Sequence, residues 1–324
     1  MQPSRFNLPL LAASLLLGAA LLAVPATAAK KPIFTLTDPR GDDHGDGNYI
    51  YPGSRRIESG DLDILSFAAY DEGNGTRFEV TFAKPVKKPE REAIDELGTQ
   101  LSDVARFGFY NLNVDIYIDT DRVPGSGGVT MLPGRQAEID PATAWEKAII
   151  LTPRPHEAKS ELQQMLMRTL NEDSKHSNEL KDDEIEALKK QIPLDIETRI
   201  FFPTEIRVLG SRISFFVPAL FLGGIAKPTW AYVVASSGCD LLQQYDPSRA
   251  LLNRKEEMKS LMIVPVSPGN WQDRFGGGRE NAPNQPPLMD IIVPKGKSQE
   301  KIMSDFSGRE KRPVVIPGVV PAEQ

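Results

Sequence analysis

An acidic, glycine-rich stretch near the start of the chain is the segment best suited to bind a metal ion. It runs from Asp38 to Tyr49 and places four aspartates, Asp38, Asp42, Asp43 and Asp46, between glycines. Hard cations such as calcium take several oxygen ligands from carboxylates and backbone carbonyls, and a loop of this composition offers both. The stretch is not an EF-hand, because the ligand spacing and terminal glutamate are absent. The open alternative is that these residues only form turns.

Two further aspartate pairs add carboxylates at the ends of predicted strands. Asp61 and Asp63 precede one strand and point the same way on an extended chain, because strand side chains repeat every two residues. Asp119 and Asp121 form a similar pair after another strand. These residue types suit a hard cation such as calcium, but Asp and Gly in loops are more often turn formers than metal ligands.

Catalytic constellations find little support in the sequence. The only histidines are His44, His156 and His176, a poor supply for a zinc site or a Ser-His-Asp triad. Cys239 has no nearby histidine and is predicted to be an inert thiol. A carboxylate pair for glycoside hydrolysis can be chosen from 44 acids, but nothing in the spacing selects one. We therefore expect a protein that is not an enzyme.

Aromatic residues are the other candidates for ligand contact. Sugar rings stack on Trp and Tyr, and their hydroxyls bond to flanking polar groups. Trp271 and Arg274 lie in a polar loop, so both are candidate sugar contacts, although a loop Trp can also close the end of a β-sandwich. Tyr49 and Tyr51, beside the acidic loop, fit either a binding or a structural role. Trp145 begins an apolar strand and is predicted to be core.

The elements that must position these residues are mostly short β-strands. In Arg77–Phe82 apolar residues alternate with polar ones, which is typical of a strand buried on one face. Linkers at 71–75 and 209–211 predict two β-hairpins. Many short strands without strand-helix alternation predict a mainly β fold, an antiparallel β-sandwich. Further strands are predicted at Ile33–Thr37, Leu62–Tyr70, Phe109–Ile118, Trp145–Leu151, Arg199–Val208, Arg212–Val217, Trp230–Ser236, Lys259–Val266, Met289–Val293 and Val314–Ile316.

One region of the chain has a helical pattern instead. Between Glu157 and Lys190 there is no Pro or Gly, and apolar residues such as Leu162 and Leu166 recur at helical spacing. Asp182 is the predicted N-cap of a second helix. The pattern predicts an α-helical hairpin inserted at about 155–193; the alternative is a charged, disordered loop.

The N-terminus has the pattern of a cleavable secretory signal peptide. Arg5 precedes an apolar run from Leu8 to Val24, and small residues follow at Ala26, Ala28 and Ala29. That order of charge, apolar stretch and small residues is typical of a signal. The run is short for a bilayer span, which needs about 20 residues. The alternative is an uncleaved membrane anchor.

Composition and charge limit the partners and the means of stabilisation that the mature protein can have. The formal net charge is -6 and no basic stripe stands out, so nucleic acid is not an expected partner. A single cysteine allows no intrachain disulfide, so stability must come from a buried core. We expect a signal peptide at 1–29 and one β domain at 30–320, with a periplasmic or secreted location. We expect no membrane span after signal cleavage.

The order of motifs along the chain resembles a known family. Asp38–Asp43, followed by Gly45, Gly47, Tyr49 and Tyr51, resembles the opening of the C-terminal binding module of glucodextranase-like proteins. That module belongs to the DOMON-like group of β-sandwiches, akin to family-nine carbohydrate-binding modules. Later segments resemble it in order: Asp61–Asp63, Asn113–Asp119, Leu132–Arg135, Trp145, Asp273–Gly278, Met289–Pro294, Ser298–Gln299 and Pro317–Val319.

The resemblance implies an exported, DOMON-like or jelly-roll-like β-sandwich that binds a polysaccharide or oligosaccharide without cleaving it. An α-glucan or another envelope polysaccharide is the implied ligand, and structural calcium is implied near Asp38, Asp43 and Asp63. The helical insertion departs from the family pattern. The alternative is therefore a structural or interaction protein of the cell envelope that docks a protein partner through these helices. A glycoside hydrolase is a more distant alternative.

Overall fold

Two five-stranded β-sheets form the framework of the computed structural model. Within the compact unit Pro32–Gln324 the described residues are mainly β, as the sequence predicts. Trp271, the predicted signal peptide at 1–29 and residues 259–262 of one predicted strand lie outside the described residues. The structure describes residues 30–94, 98–176, 181–239, 241, 263–269, 272–280 and 285–324.

The first sheet is antiparallel throughout. Its strands are β1 (Phe34–Thr37), β2 (Ile64–Asp71), β3 (Gly75–Phe82), β8 (Ile206–Leu209) and β9 (Arg212–Pro218). They lie in the order β1-β2-β3-β9-β8. Both predicted hairpins are confirmed, because β2 pairs with β3 and β8 pairs with β9. Alternate residues of β3 are buried, as its sequence pattern predicts.

The second sheet contains one parallel pair. Its strands are β4 (Leu112–Asp119), β6 (Lys147–Leu151), β7 (Ile200–Phe201), β10 (Ala231–Gly238) and β11 (Asp290–Ile291). The order is β11-β10-β4-β6-β7, and β6 and β7 are parallel. The prediction of antiparallel pairing therefore fails at this pair of the second sheet, because the long connection between β6 and β7 makes a parallel return possible.

A small parallel sheet joins the middle of the chain to its end. It consists of β5 (Ala137–Ile139) and β12 (Val314–Ile316), with Val314 opposite Ala137. The predicted strand at Val314–Ile316 is thus confirmed. The predicted strand Arg199–Val208 is wrong as one element, because its residues divide between the end of a helix, β7 and β8, which lie in different sheets.

Five α-helices occur in the described part of the chain. They are α1 (Leu101–Val104), α2 (Pro155–His176), α3 (Asp182–Arg199), α4 (Ala219–Leu222) and α5 (Gln299–Ser304). None of the described helices is long and apolar enough to cross a bilayer.

Helices α2 and α3 lie where the helical insertion is predicted, with two differences. The predicted end near 193 is wrong, because Pro193 lies inside α3, which continues to Arg199. The N-cap is Lys181 rather than Asp182, and its backbone N–H donates to Glu184 at 2.9 Å. The two helices contact each other through the ion pair of Lys159 and Glu197.

Strand β4 is buried on both of its faces. Val114 and Ile116 belong to a core cluster that also contains first-sheet residues such as Val80. On the other face Tyr117 packs in a second cluster that includes Leu162 of α2. Polar residues of β4 on that second face are therefore removed from water and must find partners inside the protein.

Candidate functional site

The acidic loop between β1 and β2 is held by backbone geometry that glycine permits. Gly41 has a φ of +86°, and its N–H donates to the Asp63 carboxylate at 2.7 Å. The side chain of Gln299, at the start of α5, donates to the Asp42 carbonyl at 2.5 Å and accepts from the Ile291 N–H at 2.7 Å. The loop, the start of β2 and β11 therefore meet at one place.

Four aspartates converge at that place, and we call them the aspartate cluster: Asp38, Asp42, Asp63 and Asp290. Asp38, Asp42 and Asp290 each offer a carboxylate oxygen within 4.8 Å of the others. Asp63 adjoins them, because its charge acts on the pKa of all three. Asp290 is 0 % exposed and Asp63 is 1 % exposed, while the other two are half-buried.

Each carboxylate of the aspartate cluster has one buried oxygen without a hydrogen-bond partner among the described residues. The second oxygen of Asp290 accepts from the Ile64 N–H at 2.6 Å, and that of Asp63 accepts from Gly41. None of the four forms an ion pair with a Lys, Arg or His of the described chain. Four acidic groups therefore share a buried region in which no described cation forms an ion pair with them, although the charges of Arg40 and His44 act on Asp63 from further away.

Burial and mutual repulsion shift these groups toward the protonated form. Burial, followed by the charge of Asp42, raises the pKa of Asp38 to about 8. Burial raises the pKa of Asp42 to about 6. Burial and the charge of Asp38 raise the pKa of Asp290 well above its usual range, and the pKa of Asp63 is raised mainly by burial. Such a cluster favours whatever positive charge can enter it, a proton or a metal ion.

The donor set of the aspartate cluster fits a hard cation. Calcium and magnesium take oxygen ligands, whereas zinc and copper sites draw on His and Cys. Every side chain of the cluster is a carboxylate, so the residues fit the calcium that the sequence and the family resemblance favour. The structure brings two of the three predicted ligands, Asp38 and Asp63, into the cluster.

Asp43, the third predicted ligand, faces a different set of groups. Its carboxylate accepts hydrogen bonds from the Gly60 N–H at 2.6 Å and from the Tyr51 hydroxyl. Its neighbour Asp42 lies in the aspartate cluster instead. Asp290 was missing from the predicted set, because it lies more than 200 residues further along the chain and only the Met289–Pro294 motif pointed to it.

The predicted sugar contacts lie in dissimilar environments. Tyr49 is buried, and its hydroxyl donates to the Pro286 carbonyl at 2.7 Å, so its ring presents no open face. Tyr51 is half-buried, with its ring edge-on to Phe275 at 5.5 Å. Arg274 is exposed on the loop beside Phe275. Trp271 lies outside the described residues, so its role stays a prediction.

A second acidic cluster already has partners. Asp119, Asp121 and Glu146 bring carboxylate oxygens within 4.8 Å of one another. Asp119 lies 3.6 Å from the guanidinium of Arg122, and Glu146 accepts from the Thr120 N–H at 2.7 Å. The second acidic cluster is thus partly neutralised by the chain itself.

An open pocket of about 400 Å³ lies next to the second acidic cluster. Arg199 stacks 4.5 Å above the ring of Trp145 and donates to its carbonyl at 3.1 Å. Lys147 donates to the Thr198 carbonyl at 2.7 Å, so the end of α3 forms one wall. The pocket offers hydroxyl, carboxylate and cationic groups. Its lining residues are Ser126, Gly127, Gly128, Glu146, Lys147, Thr198 and Arg199.

A comparison of the chain with protein-family models finds a match. A model described as the SLH-like C-terminal binding module of glucodextranase matches residues 33–318. The chain belongs to that family. The match confirms the resemblance read from the motifs, and no curated protein sequence matches the chain. The module of this chain extends from β1 to β12 and contains the whole aspartate cluster.

Proposed function

We propose that the protein binds a polysaccharide of the cell envelope, or an α-glucan, and does not cleave it. The observation that carries this proposal is the match of residues 33–318 to a binding module of glucodextranase. A binding module needs a recognition surface but no reaction centre. The poor supply of histidines and the lack of a selected carboxylate pair support the non-catalytic role.

Two surfaces are candidates for the sugar contact. One is the loop that carries Trp271 and the exposed Arg274. The other is the open pocket beside α3, where Ser126 and Thr198 can bond to sugar hydroxyls and Glu146 can accept from them. Sugar sites combine an aromatic platform with flanking hydrogen-bonding groups, and neither surface alone has both among the described residues.

Affinity electrophoresis through gels loaded with α-glucans or envelope polysaccharides tests the proposal and locates the contact. Retardation of the protein by one polymer is expected. Loss of retardation in Trp271→Ala and Arg274→Ala places the contact on the loop, and loss in Glu146→Gln places it in the pocket. Unchanged mobility in every polymer contradicts sugar binding. Release of product on prolonged incubation with oligosaccharides contradicts the non-catalytic role.

We propose that the protein is exported and that its signal peptide is removed. The charge, apolar run and small residues at 1–29 support this. N-terminal sequencing of the protein from the envelope or the medium is expected to begin at residue 29 or 30. An N-terminus at Met1 in that fraction contradicts cleavage.

We further propose that the two five-stranded sheets form a DOMON-like β-sandwich with a helical hairpin inserted between β6 and β7. Support comes from the core cluster that both sheets share and from the contact of α2 with α3. An experimental structure with the two sheets face to face is expected. Sheets that share no core contradict the proposal.

A second candidate function is the docking of an envelope protein by the inserted helices. The observation that favours it is the exposure of two leucines on α3, Leu188 and Leu194, which are 42 % and 58 % exposed. Co-purification of one partner with the intact chain, and its loss from Leu188→Ser/Leu194→Ser, are expected on this reading. An unchanged partner in that variant contradicts it.

A further inference from the structure

We propose that the aspartate cluster binds one calcium ion that ties three separate parts of the chain together. Asp38 and Asp42 lie on the loop after β1, Asp63 directly precedes β2, and Asp290 lies on β11. This set differs from the predicted one: Asp42 and Asp290 are in it and Asp43 is not. Calcium binding and sugar binding are measured separately, so each proposal can fail without the other.

The unpartnered oxygens are the first argument. A buried carboxylate is costly unless it is hydrogen-bonded and neutralised, and buried polar atoms in folded proteins nearly always have partners. Here four neighbouring carboxylates each keep one buried oxygen without a partner among the described residues. Asp290 is completely buried, and one of its oxygens lies in the cluster. A cation among these oxygens satisfies them together.

The second argument is that other buried aspartates of the chain have a positively charged partner. Asp115 is paired with Arg135, and Asp61 lies 2.9 Å from the Lys87 ammonium. Asp46 lies 3.6 Å from the guanidinium of Arg279. The chain thus supplies a cation of its own to buried aspartates elsewhere. Among the described residues no cation lies within ion-pair distance of the aspartate cluster, which points to one that comes from solution.

Calcium is favoured over magnesium by the shape of the site. Calcium accepts six to eight oxygens in flexible arrangements, whereas magnesium requires near-octahedral geometry and keeps several waters. The cluster combines two fully buried carboxylates with two half-buried ones that lie on a loop, so its ligands come from separate parts of the chain and need not form a regular octahedron.

The competing occupant is the proton. Asp38 and Asp290 contact each other closely enough for one carboxyl to donate to the other, and a shared proton also reduces their repulsion. A proton shared by Asp38 and Asp290 leaves the oxygen of Asp42 without a partner, whereas a divalent cation can contact oxygens of all three, which lie within 4.8 Å of one another. The two occupants therefore predict different responses to calcium.

Thermal unfolding of the full chain in calcium, magnesium or chelator tests the proposal. Calcium at about 100 times its Kd is expected to raise the melting temperature by roughly 5 °C, because a ligand bound only to the native state stabilises it. Titration calorimetry is expected to show one site, and magnesium is expected to give a smaller shift.

The variant Asp290→Asn gives the sharpest result. The amide keeps an oxygen for the Ile64 N–H but removes a buried charge. We expect its melting temperature to be unchanged by calcium, and in chelator to equal or exceed that of the wild type. Asp305→Asn is the matched control, because Asp305 is exposed and paired with Arg312, and it should keep the full calcium shift.

Two outcomes overturn the proposal. An absence of both heat and melting shift in the wild type means that protons alone neutralise the cluster. A full calcium shift in Asp290→Asn means that calcium binds elsewhere, for example at the second acidic cluster. If Asp290→Asn does not fold, Asp42→Asn at the half-buried edge replaces it with the same expected loss. Sugar retardation in the gels is read separately and decides only the proposed function.

Discussion

Two buried aspartates of the second sheet, Asp115 on β4 and Asp290 on β11, have opposite surroundings. Asp115 is 2 % exposed and receives both the Nε and an Nη of Arg135, at 2.5 and 2.9 Å. Asp290 is 0 % exposed, and among the described residues the charges that most affect its pKa are those of the carboxylates Asp38, Asp42 and Asp63. The first aspartate is neutralised by an arginine of the chain, and for the second we propose a cation from solution.

The difference has a structural origin. Asp115 faces the second core cluster, and Arg135 reaches it from the turn before β5, held by a hydrogen bond to the Pro133 carbonyl at 3.1 Å. That region is closed by α2 and is inaccessible to ions. The aspartate cluster instead borders an exposed glycine loop, where an ion can enter after folding. A closed site needs a permanent partner, and an open one can use an exchangeable ligand.

The largest effect on the free energy of unfolding is expected when Arg135, the ion-pair partner of Asp115, is removed. Arg135→Ala leaves Asp115 buried and unpaired, and should lower the free energy of unfolding by about 3–5 kcal/mol. Chemical denaturation in saturating calcium and in chelator measures it, and the loss should be the same in both. Arg312→Ala, at an exposed pair with Asp305, is the control and should cost less than about 1 kcal/mol. A loss for Arg135→Ala as small as that of the control contradicts the comparison.

A smaller effect is expected when the loop of the aspartate cluster is displaced. Gly45 has a φ of +58°, and an added Cβ would collide with the ring of the buried Tyr49. Gly45→Ala should lower the free energy of unfolding by about 1–3 kcal/mol, through overpacking and backbone strain. It should also weaken calcium binding, because Gly45 and Asp42 are held by the same Gln299 side chain.

Gly73→Ala is the matched control for the loop variant. Gly73 also has a positive φ, +84°, but an added Cβ there meets nothing within 4 Å. It should show only the backbone cost and a normal calcium shift in the melting curve. Equal calcium shifts in Gly45→Ala and the wild type would mean that the loop does not set the geometry of the cluster.

The smallest effect on the free energy of unfolding is expected when the partly exposed Lys87 loses its ion pairs. Lys87, whose side chain is 23 % exposed, lies 2.9 Å from both Asp61 and Glu58. Lys87→Met should lower the free energy of unfolding by about 1 kcal/mol, because water can replace part of the lost interaction. Denaturant titration checks this. A loss as large as that of Arg135→Ala would show that exposure does not separate the two kinds of pair.

The sequence predicts the strands far better than the boundaries of the helices. Strand β3 could be predicted because apolar and polar residues alternate along it. The end of α3 could not be predicted from the sequence, because proline normally stops a helix and Pro193 lies inside this one. The short segment Ile200–Phe201 pairs in parallel with β6, a tertiary choice that no local pattern encodes.

Only part of the aspartate cluster could be predicted from the sequence, because local patterns mark some of its residues and tertiary contacts bring in the others. The acidic loop identifies Asp38, and the strand-end pair identifies Asp63, because local composition marks both. Whether Asp42 or Asp43 points into the cluster depends on the positive φ of Gly41, which sequence alone does not give. Asp290 joins through the pairing of β11 with β10, a contact between distant parts of the chain.

Crystals of the protein grown with calcium should show the ion as anomalous difference density at the aspartate cluster. We expect one peak about 2.3–2.6 Å from oxygens of Asp38, Asp42 and Asp290. A map with no peak there, and with carboxyl groups hydrogen-bonded to one another instead, would contradict it.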